Sequence, residues 1–169
     1  MDTIEALLTR RSIRKFTGEC ISEDDLQTIL RTGFYAPSAS NKQPWHFVVI
    51  RDPDTLKKIP EFQPFSKMMV QAGCCIVVCG DKLNEILTGF LVEDCSAAMQ
   101  NMLLAAHSLG LGAVWCGLYP VHVFTKPISK LLGLPVNVVP VGMMAVGHKA
   151  EDHTIQERYD PKKVHLENW

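Results

Sequence analysis

Apolar positions along this chain change their spacing several times, and each change marks an element. Ile4, Leu7 and Leu8 recur at helical intervals, so residues 2–9 read as a short first helix. Ser22, followed three residues later by Asp25, is a capping-box-like start for a second helix carrying Leu26, Ile29, Leu30 and Phe34. Pro37 should end it, and residues 36–44 form a polar loop bracketed by prolines. His46–Ile50 then reads as a strand, and residues 53–72 as short helical pieces broken by Pro60 and Pro64. Cys74–Cys79 is apolar at every position, as expected of a central strand covered on both faces.

Residues 90–109 predict the longest helix, apolar nearly all round, with only a narrow polar stripe. Glu93, Asp94, Gln100 and Asn101 interrupt it, which excludes a membrane span. A helix so apolar needs cover, and a second subunit is a natural source. Gly110 and Gly112 lead into a strand over 113–116, and a helix over 121–132 stops at Gly133 and Pro135. Val138–Val146 reads as a strand whose Pro140 implies a sheet edge or a bulge. After Gly147 the pattern fades, and residues 148–169 are charged and loop-like, with Trp169 at their tip. This reads as an extended arm laid over another surface. No linker or repeat divides the chain, so residues 1–169 are expected to form one α+β domain.

Composition adds exclusions. With 169 residues and 47% hydrophobic content, the chain can bury a real core. A formal net charge of -1 argues against a nucleic-acid binder. No leader of basic, apolar and small residues opens the chain, so it reads as cytoplasmic, with its six cysteines reduced. None of them forms a C-x-x-C pair and there is no H-E-x-x-H, so no metal site is expected.

Against that neutral background, Arg10-Arg11-Ser12-Ile13-Arg14-Lys15-Phe16 puts four cations and a hydroxyl within six residues. Arginine forks suit phosphate and carboxylate. A solvated basic helix end would look the same from spacing alone. The motifs for a P-loop, a Rossmann dinucleotide site and a nucleophile elbow are all absent. The remaining candidates are the basic run, the 37–44 loop, the Trp-Cys-Gly turn at 115–117 and Arg158. They suit a bound phosphorylated cofactor better than a side-chain triad.

The basic run, followed by Ala36-Pro37-Ser38-Ala39-Ser40-Asn41-Lys42-Gln43-Pro44-Trp45, resembles the opening of the FMN-dependent nitroreductase family. Residues 112–117, 142–147 and 158–165 are similar too, so the likeness spans nearly the whole chain. The resemblance implies a mixed sheet flanked by helices, in an intimate homodimer with FMN at the interface. It implies that Arg10 and Ser12 hold the phosphate with Arg11 nearby, and that Arg14 reaches the flavin N1/O2 edge. Pro37, Ser38, Ala39, Ser40 and Asn41 would come from the other subunit. Backbone groups at Trp115, Cys116, Gly117 and Leu118 would face flavin N5, and Arg158 would return to the phosphate. Gln156 departs from the pattern, standing where such proteins often carry a lysine.

The activity so implied is an NAD(P)H-dependent oxidoreductase reducing nitroaromatics, quinones or similar small-molecule electron acceptors in a ping-pong cycle. No catalytic side chain is expected, because the cofactor carries the chemistry. Two alternatives stay open. One is the same fold with a dedicated acceptor, as in a reductive dehalogenase or enoyl-type reductase. The other is a non-catalytic module binding a phosphorylated ligand.

Overall fold

The computed structural model describes all 169 residues of the chain. Helices α1 (Thr3–Thr9) and α2 (Glu23–Phe34) precede strand β1 (Trp45–Ile50). Helix α3 (Pro53–Phe62) and a 3₁₀ stretch, Pro64–Gln71, lead to β2 (Cys74–Asp81). The long α4 (Thr88–Ser108), β3 (Gly112–Gly117), α5 (His122–Leu132) and β4 (Val138–Gly147) complete the core. The strands lie in the order β1-β2-β4-β3, with every neighbouring pair antiparallel. A parallel bridge from Ser12 to Ala113 at the outer side of β3 makes the sheet mixed.

Strand alternation explains why β2 is apolar throughout. Cys74, Ile76 and Val78 face a core shared with α2 and α4. Cys75, Val77 and Cys79 face a second core under α3 and α5. The three thiols are therefore split between two dry layers. Burial pushes Cys74 and Cys79 up to about 12. On α2, Ser22 Oγ accepts the Asp25 N–H at 3.0 Å, as the capping pattern predicts.

One of two prolines behaves differently from expectation. Helix α3 runs through Pro60 and breaks only at Gln63 and Pro64. Pro60 has no N–H for the Leu56 carbonyl, and the helix ends two residues later. Strand β4 is internal to the sheet, between β2 and β3, yet both cues from Pro140 have a counterpart. The register slips between Val78–Gly142 and Cys79–Pro140, leaving Val141 as the bulged residue. Strand β3 pairs only as far as Gly142, so β4 has an open flank at Pro140.

The basic run is extended and tied on both sides. Ile13 N–H donates to Ala113 O at 3.0 Å, and Thr17 and Lys15 exchange backbone bonds with His148 and Ala150. One oxygen of Glu151 accepts from the backbone N–H groups of both Arg14 and Lys15. Ile13 is buried against Gly112, where a Cβ would stand 2.7 Å from Ile13 Cγ2 and 3.0 Å from Lys149 Cγ. Glycine is required there for close approach. From 152 onward the arm is almost wholly exposed, and Trp169 stacks on His165 rather than on the core.

Two predictions follow from this strap. Gly112→Ala should cost about 1–3 kcal/mol in urea unfolding, because Ile13 must be pushed outward. Gly117→Ala, where an added Cβ meets nothing within 4 Å, serves as the near-neutral control. The second concerns acid. The Arg14 N–H, more than His153 and Lys15, holds the Glu151 carboxyl below its ordinary value of 4.5. A depressed folded value means its stabilisation is complete above that pH and disappears as pH falls through the folded value. The melting-temperature gap between wild type and Glu151→Gln should therefore be constant near neutrality and close below about pH 4.5.

Candidate functional site

Period-two geometry sets the first half of the site. With Ile13 turned into the core, Ser12 and Arg14 share the opposite face. Both line a polar basin of about 330 Å³ with Arg11, His153, Thr154, Gln156 and Arg158, and no apolar residue takes part. Arg11 reaches across to the arm, donating to Gln156 O at 3.2 Å. Arg10 opens on the adjoining pocket, which it shares with Arg11 and Arg158. Its guanidinium is lowered by burial, then by Arg158, then by Arg11. Arg10, Arg11 and Arg158 thus meet at the adjoining pocket, which Glu157 also lines, while Arg11, Arg14 and Arg158 line a basin that holds no carboxylate, a crowding that an anion would relieve.

Arg14 also stands on a second, less polar cavity of about 650 Å³. Its walls include Gln63, Phe65, Trp115, Cys116, Gly117 and Phe124. Gly117 carries no side chain where one would meet only open space, which leaves room for a planar ligand. Burial pushes the Cys116 thiol up to about 11, against a smaller opposing pull from Arg14. A thiol so placed stays protonated at neutral pH and is a wall, not a nucleophile. Leu118 is elsewhere: its side chain is buried in the core and its N–H donates to Val141 O.

Loop 37–41 is not at this site within the chain. Pro37, Ser38 and Ala39 line a third cavity of about 300 Å³ with Phe90 and Asp94. Ser40 and Asn41 adopt left-handed φ values of 51° and 54°, rare for residues with a side chain. Clamps hold this turn. Asp94 accepts the Ala39 N–H at 2.9 Å, Lys42 pairs with buried Glu85 at 3.0 Å, and Ser38 Oγ accepts the Gln43 N–H at 3.0 Å.

Several contributors escape sequence reasoning. Gln63, 2% exposed, donates to Gly117 O at 3.1 Å and accepts from Phe65 N–H, fixing the turn beside the large cavity. His153 and Thr154 join the basin where Gln156 offers no charge. Lys149 is engaged instead with Asp152 at 3.4 Å. Only the arm's return path, set by long-range packing, brings these residues in. No helix is long and apolar enough to cross a membrane.

Comparison with known proteins places the sequence and the fold. Residues 7–64 and 63–148 match the model described as the Nitroreductase family. A Methanothermobacter thermautotrophicus protein, provisionally named an NADH dehydrogenase/NAD(P)H nitroreductase, is 44% identical over 169 residues, spanning 100% of this chain and 88% of its own. The NADPH-flavin oxidoreductase of Vibrio harveyi is 31% identical over 179 residues, covering 99% of this chain and 74% of its own. The crystal structure of a similarly provisionally named Parabacteroides distasonis protein superposes with a TM-score of 0.95 at 35% identity, covering 99% of this chain and 98% of that one. Matched by that family model over most of its length and by these relatives, the chain belongs to the nitroreductase family.

Proposed function

We propose that this chain is an FMN-dependent oxidoreductase that takes reducing equivalents from NADH or NADPH and delivers them to small acceptors such as nitroaromatics and quinones, each site being built by two chains. The carrying observation is that Arg14 belongs to both the cation basin and the larger cavity. A ligand with a phosphate at one end and a flat ring at the other fits that connected shape. The flavin and nicotinamide use named for the V. harveyi relative supports the same reading.

The residues present fit FMN. Arg11, Ser12 and Arg158 would hold the phosphate, with Arg10 adding its charge from the adjoining pocket. Trp115, Cys116 and Gly117 would lie along the ring. FMN, when bound, supplies two-electron hydride chemistry at N5. Arg14, which lines both spaces, would hold a cation beside the ring and favour the negative charge that a reduced flavin carries. Gln63 keeps the Gly117 turn in place, and the exposed Phe65 leaves the mouth open to varied acceptors. Loop 37–41 opens on a cavity that shares no lining residue with the Arg14 sites. Its part in the reading is therefore to complete the site of a second copy.

Purified protein should absorb in the visible as an oxidised flavin and release FMN, not FAD, on heating. FMN at one hundred times its dissociation constant should stabilise the fold by about 2.7 kcal/mol. A colourless protein whose melting temperature ignores FMN would end the proposal. The shared site has its own test. Arg14→Ala and Asn41→Ala homodimers should each be inactive. Unfolded and refolded together, they should recover roughly a quarter of wild-type turnover, because half the dimers are mixed and each has one intact site. No recovery would place both residues in a site made by one chain.

A further inference from the structure

One wall of the polar basin is titratable. Arg11, Arg14 and Arg158 carry fixed charge there, and Ser12, Thr154 and Gln156 are neutral. His153 alone among the lining residues changes its charge between about pH 5 and pH 8. Its Nε2 stands 3.4 Å from Oε1 of Glu151, and this is the ring's one polar contact within the chain. The same oxygen accepts the backbone N–H groups of Arg14 and Lys15, so the carboxylate that meets His153 is fixed to the strap.

That contact decides what the ring offers the basin. A carboxylate beside one imidazole nitrogen keeps the proton on that nitrogen. Neutral His153 then has only a lone pair on Nδ1, which cannot bond an anion. With a second proton both nitrogens donate. The charges around the ring pull in opposite directions. Arg11, Arg14 and Arg158 oppose another positive charge, and Glu151 favours it. The other charged groups nearby are engaged elsewhere: Lys149 with Asp152 at 3.4 Å, and Glu157 with the Arg158 and Tyr159 N–H groups. An anion in the basin offsets the three arginines, so the anion and the imidazolium stabilise each other.

We propose that His153 is a phosphate-binding residue of the flavin site, with Glu151 holding its Nε2–H and Nδ1–H donating to the phosphate once the ring is protonated. Cofactor and proton then bind together, the proton coming from solvent and returning there on release. The inference rests on the FMN reading above and adds to it a residue and a coupled proton.

The test reads binding, not turnover. Purified holoprotein is diluted at about pH 6 and at about pH 8, and the fluorescence of released FMN gives the dissociation constant. His153→Gln, with unchanged circular dichroism, should weaken FMN about tenfold at the lower pH and less than about twofold at the higher. Comparing proteins at one pH cancels the ionisation of the phosphate itself. His153→Lys carries a fixed charge and should hold FMN about tenfold more tightly than His153→Gln at the higher pH. Riboflavin, which lacks the phosphate, should bind the flavin-free full chain equally well in all three proteins. An FMN loss in His153→Gln that is absent, equal at both pH values, or shared by riboflavin would overturn the proposal and leave His153 a neighbour of Glu151 alone. A chain that takes no FMN at either pH would refute the flavin reading, and sulfate, doubly charged throughout this range, then decides the residue by calorimetry. Sulfate binding weakened by His153→Gln only at the lower pH would uphold His153 as a proton-coupled anion ligand. Sulfate binding that is absent or indifferent to the substitution would overturn it.

Discussion

The conflict between Ile13, which must be buried, and its neighbours Ser12 and Arg14, which line an open polar basin, governs this molecule. An extended backbone satisfies both, since successive side chains point to opposite faces. It can be extended only if its polar groups are paired, and β3 and residues 148–151 provide those partners. Gly112 must then be glycine, Glu151 must cap two N–H groups, and the arm must return past the basic run. The sheet, the strap and the basin are consequences of one alternation.

Electrostatics in the site are arranged by exclusion. Arg10, Arg11, Arg14 and Arg158 converge around surfaces with few opposing charges, and their mutual repulsion is relieved most simply by an anionic ligand. The titratable thiol on the cavity wall is held protonated. Carboxylates are placed where they organise backbone: Glu151 under the basic run, Glu85 and Asp94 under the 37–43 loop.

Local signals served well where one physical rule dominated. The all-apolar Cys74–Cys79 run has no arrangement except a strand covered twice, and the Ser22 cap had one helix to start. They served less well where tertiary context could override a cost. Pro60 reads as a breaker, but α3 continues two residues past it. Pro140, by contrast, signalled a bulge correctly, in a strand that is internal to the sheet with one flank open where β3 ends.

By itself the sequence determined that a dense basic run follows the first helix, that a polar loop starts at Pro37, and that a twice-covered strand lies at the centre. Each is a property of consecutive residues, set by charge density, proline geometry or hydrophobic period. Only the tertiary structure decided that Arg14 belongs to two cavities at once, that Gln63 holds Gly117, and that His153 stands where Gln156 brings no charge. These depend on contacts between residues tens to more than a hundred positions apart. No local period or propensity encodes such contacts, because they come from burying the two faces of one sheet under different helices.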